Sequence, residues 1–240
     1  MLVAALCWCL GKDVNPVWGH HLIPIITPNT LVCMHLCFAG DKEYTTLKFR
    51  SGTQVDSTSL ALILDSAGRR LPSYFWSLYA DDGQSFFEFG REKIRTETEA
   101  NSYCCNWHIG ETDNKFIGAF YGFSVENPYP EIDYEKEPNW WTPYLELERR
   151  AAGSWLLHIV SILPEYRGQG YAKAFLTYAE QVAKKEGAKK ITLQVEEINQ
   201  IALKTYIKND YLEIDRRQLI PFPFSEDTGD IILMEKNLYA

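Results

Sequence analysis

The chain reads as an α/β (α+β) domain on a mixed, mostly antiparallel central sheet of about six to seven strands flanked by about four helices. Three observations predict this. Strand-like and helix-like segments alternate from residue 43 onward. An apolar strand at 155–163 runs into a glycine turn that opens a helix. A second strand, 189–196, follows at once and leads into a helix opened by Asn199.

In order, residues 44–49 form a strand, 57–69 a helix, the segment around Trp76 a connection, 84–94 a helix, and 102–109 and 115–124 two strands. Residues 126–148 read as a loop because four prolines interrupt any period. After strand 155–163, the glycine helix places Tyr171, Phe175, Tyr178, Ala179 and Val182 on one face and Lys173, Thr177, Glu180, Gln181 and Lys184 on the other, and Gly187 ends it. Strand 191–196, the Asn199 helix, and strands 211–220 and 230–234 complete the chain. Neither a repeat nor a low-complexity tract is present.

The stretch from Val160 to Lys173 carries the most chemistry. Pro164 forces a turn, and Gly168, Gly170 and Ala172 leave the following backbone nearly bare. The first N–H groups of a helix lack partners and sit at the positive end of its dipole, so a diphosphate can lie on such a turn. A nucleoside-triphosphate loop is excluded because no Gly-Lys-Ser/Thr ending follows. A dinucleotide loop is disfavoured because Lys173 stands where its third glycine belongs. A plain strand-to-helix turn uses the same glycines. Asn199 and Tyr206, seven residues apart and so about two helical turns, can face one groove beside the turn.

These residues resemble the GNAT acetyltransferase superfamily. Arg167-x-x-Gly170-x-Ala172 is similar to its Arg/Gln-x-x-Gly-x-Gly/Ala signature, and Asn199 with Tyr206 is similar to its later Asn…Tyr pair. The likeness spans residues 44–238 in outline and is tightest over 155–211. It implies the GNAT fold, with splayed fourth and fifth strands, and acetyl-CoA as cosubstrate. The backbone of Val160, Ser161 and Ile162 would pair with the pantetheine amides like an added strand. Arg167, Gly168, Gln169, Gly170, Tyr171 and Ala172 would hold the pyrophosphate, and Asn199 the pantetheine arm.

Acetyl transfer to an amine needs a neutral nucleophile, whereas a lysine-like amine with a pKa near 10.4 is protonated at pH 7. Many members of the family place a Glu on the fifth strand, where this chain has Gln194, which cannot act as a base. Glu196 shares that strand face, and His158 lies on the strand where arylalkylamine-type relatives carry a proton-relay histidine. Glu146 or Glu148 could replace both. Tyr206 is the candidate proton donor to the departing thiolate; it could also be an aromatic packed against Ala202. Asp210-Tyr211 stands where the family usually has Gly-Phe, and Asp tolerates the left-handed helix end.

Composition bounds the remaining choices. The chain has 240 residues, 46% hydrophobic and 14% aromatic, ample for a core. A net charge of -8 and a pI near 5.2 argue against nucleic-acid backbones and favour cationic partners weakly. Pro24 and Pro28 break the most apolar run, so a bilayer span is not expected. Residues 1–42 are an atypical extension to a domain at 43–240. They hold Cys7, Cys9, Cys33 and Cys37, four of the six cysteines. With His20, His21 and His35 these could hold zinc, but their spacing fits no known ribbon or finger, and the start lacks a secretory pattern. No metal and a cytoplasmic location are expected; homodimerisation is open.

The 126–148 loop carries seven acids against Lys136, interleaved with Tyr129, Tyr134, Trp140, Trp141 and Tyr144. Acids and aromatic faces would suit a cationic primary amine, and a solvated loop anchored by its tryptophans fits equally well. Two functions follow: an N-acetyltransferase working in a ternary complex, or an acyl-CoA-binding regulatory module that lost its chemistry at Gln194. A cysteine-nucleophile acyltransferase is weaker, because Cys104 and Cys105 are remote from the motif.

Overall fold

A computed structural model describes residues 32–34 and 47–239. Of the candidate zinc ligands only Cys33, in the strand at 32–34, is among the described residues; the others, most of the extension at 1–42 and the first residues of the 44–49 strand lie outside them. The chain divides into two compact units between Ala119 and Phe120, inside one strand.

In the first unit, β1 (Val32–Met34), β2 (Leu47–Ser51) and β3 (His108–Thr112) pair antiparallel in that order. Helices α1 (Ser57–Ala67), α2 (Leu71–Tyr79) and α3 (Phe86–Thr96) lie between β2 and β3 in sequence. The segment around Trp76, expected as a connection, is α2. Its Pro72 suits a helix start, and Leu71, Phe75 and Trp76 are its buried positions. Its first turn is capped from outside, because Asp65 of α1 accepts the Ser73 N–H at 2.9 Å. A local reading cannot see a cap supplied by another helix. The strand expected over 102–109 begins only at His108. Before it, Cys104–Asn106 form a 3-10 turn, held by the Trp107 indole N–H on the Ser102 carbonyl and the Asn106 amide on the Ala100 carbonyl.

The second unit begins with the end of β4 (Lys115–Ser124) and continues through α4 (Thr142–Arg150), β5 (Trp155–Ile162), α5 (Tyr171–Lys185), β6 (Lys190–Glu196), α6 (Gln200–Lys208), β7 (Leu212–Gln218) and β8 (Asp230–Asn237). Its strands lie in the order β4, β5, β6, β8, β7. Strand β8 pairs antiparallel with β6 along the whole of β6 and with β7 on its other edge. The segment 126–148, expected as a loop, ends in α4. Pro143 occupies the first turn, where its missing N–H leaves no helical bond unmade, and Leu145, Leu147 and Glu148 are buried. Proline content alone hid this helix.

Alternation assigns the two faces of this sheet. Phe120 of β4 meets Phe175 and Tyr178 of α5 edge-on, and the Trp155 indole N–H donates to Glu186 just beyond α5. The other face packs against α4: Leu156, Ile231 and Leu233 cluster with Leu147, Ala151, Val125 and Leu219. Buried Ser154 and Thr192 join hydroxyls at 2.7 Å across the start of β5 and β6.

Candidate functional site

Strands β5 and β6 run parallel but share only two register pairs, Trp155↔Ile191 and Leu156↔Thr192. The remainder of β5, including Val160, Ser161 and Ile162, has no ladder partner on its β6 side among the described residues. Strand β6 remains committed to β8 through Glu196. A strand edge with unpaired N–H and C=O groups is a template for an extended ligand carrying amides.

The chain then turns through Pro164–Tyr166. The Arg167 Nε donates to the Ile162 carbonyl at 2.8 Å, fastening the turn to the end of β5, and the Gln169 amide donates to the Glu165 carbonyl at 2.9 Å. Gly168 and Gly170 adopt φ of 74° and 85°, a left-handed conformation that side-chain-bearing residues adopt at a penalty. Residues 167–170 are exposed, and Gly170 is the residue from which α5 starts. The N–H groups of Tyr171 and Ala172 therefore open a helix of 15 residues with the dipole behind them, while the Tyr171 ring is buried and anchors the turn. An anion of phosphate type fits this arrangement.

Immediately after β6, Asn199 caps α6 by accepting the Ala202 N–H at 3.3 Å. The cap uses its Oδ1, so its Nδ2 can still donate to a ligand. No residue of α6 is fully buried. Its Tyr206 ring is 6.0 Å from that of Tyr211, whose hydroxyl donates to Glu180 of α5. Lys236 of β8 donates to the same Glu180 oxygen at 2.9 Å. Burial pushes the Tyr206 phenol up to about 12, so it is protonated throughout the working range. Asp210, expected at a left-handed helix end, has φ of 68°.

The candidate bases lie on the face toward α4. His158 sits between Tyr121 at 5.3 Å and Phe123 at 5.5 Å, ring centre to ring centre. Burial lowers its pKa to about 4, with the Glu148 charge acting in the opposite direction. Its imidazole is neutral at pH 7 and can accept a proton only weakly. Glu196 accepts the Tyr144 hydroxyl at 3.0 Å, and Gln194 donates to the Tyr144 carbonyl at 3.1 Å. Glu146 is taken by Arg217 at 2.6 Å. Glu148 is buried at 3% exposure and accepts the Tyr129 hydroxyl at 3.1 Å. Burial and the Glu148 charge raise the Tyr121 and Tyr129 phenols well above their usual range.

His158 and Glu196 thus share one side of the sheet with Gln194, while Tyr206 packs with Tyr211 toward α5. The sequence offered Glu148 only as a substitute, and nothing in it pointed to Tyr144 or Tyr129 as partners of acids. Proline in the first turn followed by Leu145 and Glu148 was the helical signal available.

The Acetyltransferase (GNAT) family model matches residues 72–211, more than half of the chain. The chain belongs to the GNAT acetyltransferase family. Solved GNAT folds agree. An acetyltransferase crystal structure superposes with a TM-score of 0.54 at 16% identity, covering 79% of this chain and 98% of that one. Mutant forms of the spermidine/spermine N-acetyltransferase SpeG from Vibrio cholerae match with a TM-score of 0.52 at 15% identity, over 80% of this chain and 95% of that one. The yncA protein of Salmonella typhimurium, solved with its cofactor acetyl-CoA, matches with a TM-score of 0.50 at 12% identity, over 80% and 94%. No curated protein matches by sequence. In this GNAT chain the expected splay of the fourth and fifth family strands is the early parting of β5 and β6. Among the described residues, no helix is long and apolar enough to cross a membrane, and no group of three or more His, Cys, Asp or Glu could hold a metal ion.

Proposed function

We propose that this GNAT chain is an acetyl-CoA-dependent N-acetyltransferase acting on a primary amine by direct attack in a ternary complex, with residues 43–240 as the acting domain and the cytoplasm as its location. The observation that carries this is the parting of β5 from β6, followed directly by the two left-handed glycines that open α5. Val160, Ser161 and Ile162 offer backbone amides to the pantetheine arm, and Asn199 adds a donor. Arg167, Gly168, Gln169, Gly170, Tyr171 and Ala172 receive the pyrophosphate.

The amine loses its proton on the α4 side, where Glu196 and His158 lie, and its nitrogen attacks the thioester carbonyl. Tyr206 donates a hydrogen bond to the leaving sulfur. Burial raises the Tyr206 phenol, which is therefore a neutral hydrogen-bond donor to the sulfur. An ammonium acceptor gives up two protons: the first passes through the base to solvent before attack, and the second, lost from nitrogen as the C–S bond breaks, ends on the thiolate. Support for a cationic acceptor comes from the acids of the segment before α4, where Glu131 and Glu135 are exposed. SpeG, of similar fold, is by its own description a spermidine/spermine acetyltransferase.

Coenzyme A release by the purified protein with a panel of primary amines tests this. Turnover on a cationic amine is expected. Acetyl-CoA binding with no turnover on any amine would establish the silent regulatory module instead, and absence of binding would overturn both.

A further inference from the structure

The position that carries a glutamate in many relatives is Gln194, and in this chain it faces a carbonyl oxygen of α4, that of Tyr144, to which its amide donates at 3.1 Å. A carboxylate there would meet an acceptor with another acceptor. One strand period further, Glu196 meets the hydroxyl of the same Tyr144 at 3.0 Å. Tyr144 therefore touches both residues, one through its main chain and one through its phenol. Its ring is itself held, stacked on Trp141 at 4.9 Å with the planes 20° apart. Helix α4 belongs to the segment that connects β4 to β5, so that connection supplies these contacts.

We propose that Tyr144 is a positioning residue that orients Glu196 as the proton acceptor and thereby moves that role two residues along β6 from position 194. Resting on the assignment of Glu196 above, this makes the β4–β5 connection part of the chemistry rather than only a wall for the acceptor. Among the described residues, the other titratable or charged groups on this side include His158 of β5, Tyr121 of β4, Tyr129 of the segment before α4, Glu146, Glu148 and Arg150 of α4, and Asp215 and Arg217 of β7. Arg217 is bound to Glu146 and Asp215, at 2.6 and 2.7 Å, and Arg150 in the last turn of α4 lies 3.7 Å from the same Asp215, so both cations are paired with acids other than Glu196.

A hydroxyl that donates to a carboxylate favours its ionised form, so removing the hydroxyl raises the pKa of Glu196. Tyr144→Phe keeps the ring and its stack on Trp141, and a thermal melt confirms the fold. Its expected effects are an acidic limb of the kcat/KM profile displaced upward by about one to two pH units, and kcat at pH 7 about tenfold lower with the acetyl-CoA Kd unchanged. Glu196→Gln should lower kcat by about a hundredfold or more. Adding Tyr144→Phe to Glu196→Gln should then cause no further loss, because the phenol has nothing left to orient. Additive losses in the double variant, or an unmoved acidic limb in Tyr144→Phe, would overturn the positioning role. An unchanged rate and profile in Glu196→Gln itself would instead overturn the assignment of Glu196.

Discussion

Substituting Gly168 with alanine separates the conformation of the glycine turn from its ligand. Gly168 has φ of 74°, and no heavy atom lies within 4 Å of the place an added Cβ would take. The folded chain therefore meets no steric clash, and the stability change comes from the left-handed backbone alone, about 1–2 kcal/mol. For a chain of this size that lowers Tm by about 2–8 °C. Binding should suffer more. If the turn receives the pyrophosphate, the new methyl projects into open space beside it and disturbs at least one hydrogen bond to a charged oxygen, worth about 1.5–3 kcal/mol. The Kd for acetyl-CoA should rise by about 10–150-fold. Calorimetry with acetyl-CoA on protein whose melt is cooperative measures both quantities. A folded Gly168→Ala protein that binds acetyl-CoA within about twofold of the parent would refute the placement of the phosphates on this turn, whatever happened to its Tm.

Further outcomes are expected elsewhere in the site. Tyr206→Phe should lower kcat by about 10–100-fold, the value of one hydrogen bond to a developing thiolate, with acetyl-CoA affinity preserved; unchanged turnover in a stopped assay would make Tyr206 a packing residue. His158 has a folded pKa of about 4, below its unfolded value, so the unfolded state takes up the proton first as pH falls. Its contribution to stability is present above about pH 6.5 and is lost toward pH 4, amounting to about 3 kcal/mol. Denaturant titrations of His158→Gln should accordingly be flatter over that window than those of the parent, and parallel curves would contradict the burial of a neutral imidazole. Replacing Glu131, Asp133 and Glu135 together by their amides should raise KM for a cationic amine by about 3–10-fold and reduce its salt dependence, leaving neutral amines unaffected. Equal KM values would detach this segment from acceptor recognition.

The donor half of the site was legible in one dimension because its determinants are local. A strand, a proline turn, glycines at positive φ and an amphipathic helix are contiguous, so Val160 to Ala172 act through backbone geometry that nearby residue types dictate. The period of two likewise put Gln194 and Glu196 on one face, and both do meet Tyr144. Two helices escaped for the opposite reason. Helix α2 takes its cap from Asp65 on another helix, and α4 is stabilised by packing Leu147 and Ala151 against Leu156, Ile231 and Leu233, which lie beyond it in sequence.

Local periodicity and turn chemistry by themselves determined the order of the β5-to-α6 elements, the glycine turn and the family resemblance. The tertiary structure decided where β5 and β6 part, that α4 lies against β6, and which acids are engaged: Glu146 by Arg217, Glu148 by Tyr129 and Glu196 by Tyr144. The physical reason is range. Backbone conformation follows from neighbours in the chain, whereas the protonation and orientation of a carboxylate follow from neighbours in space, and for Glu196 that neighbour is 52 residues away.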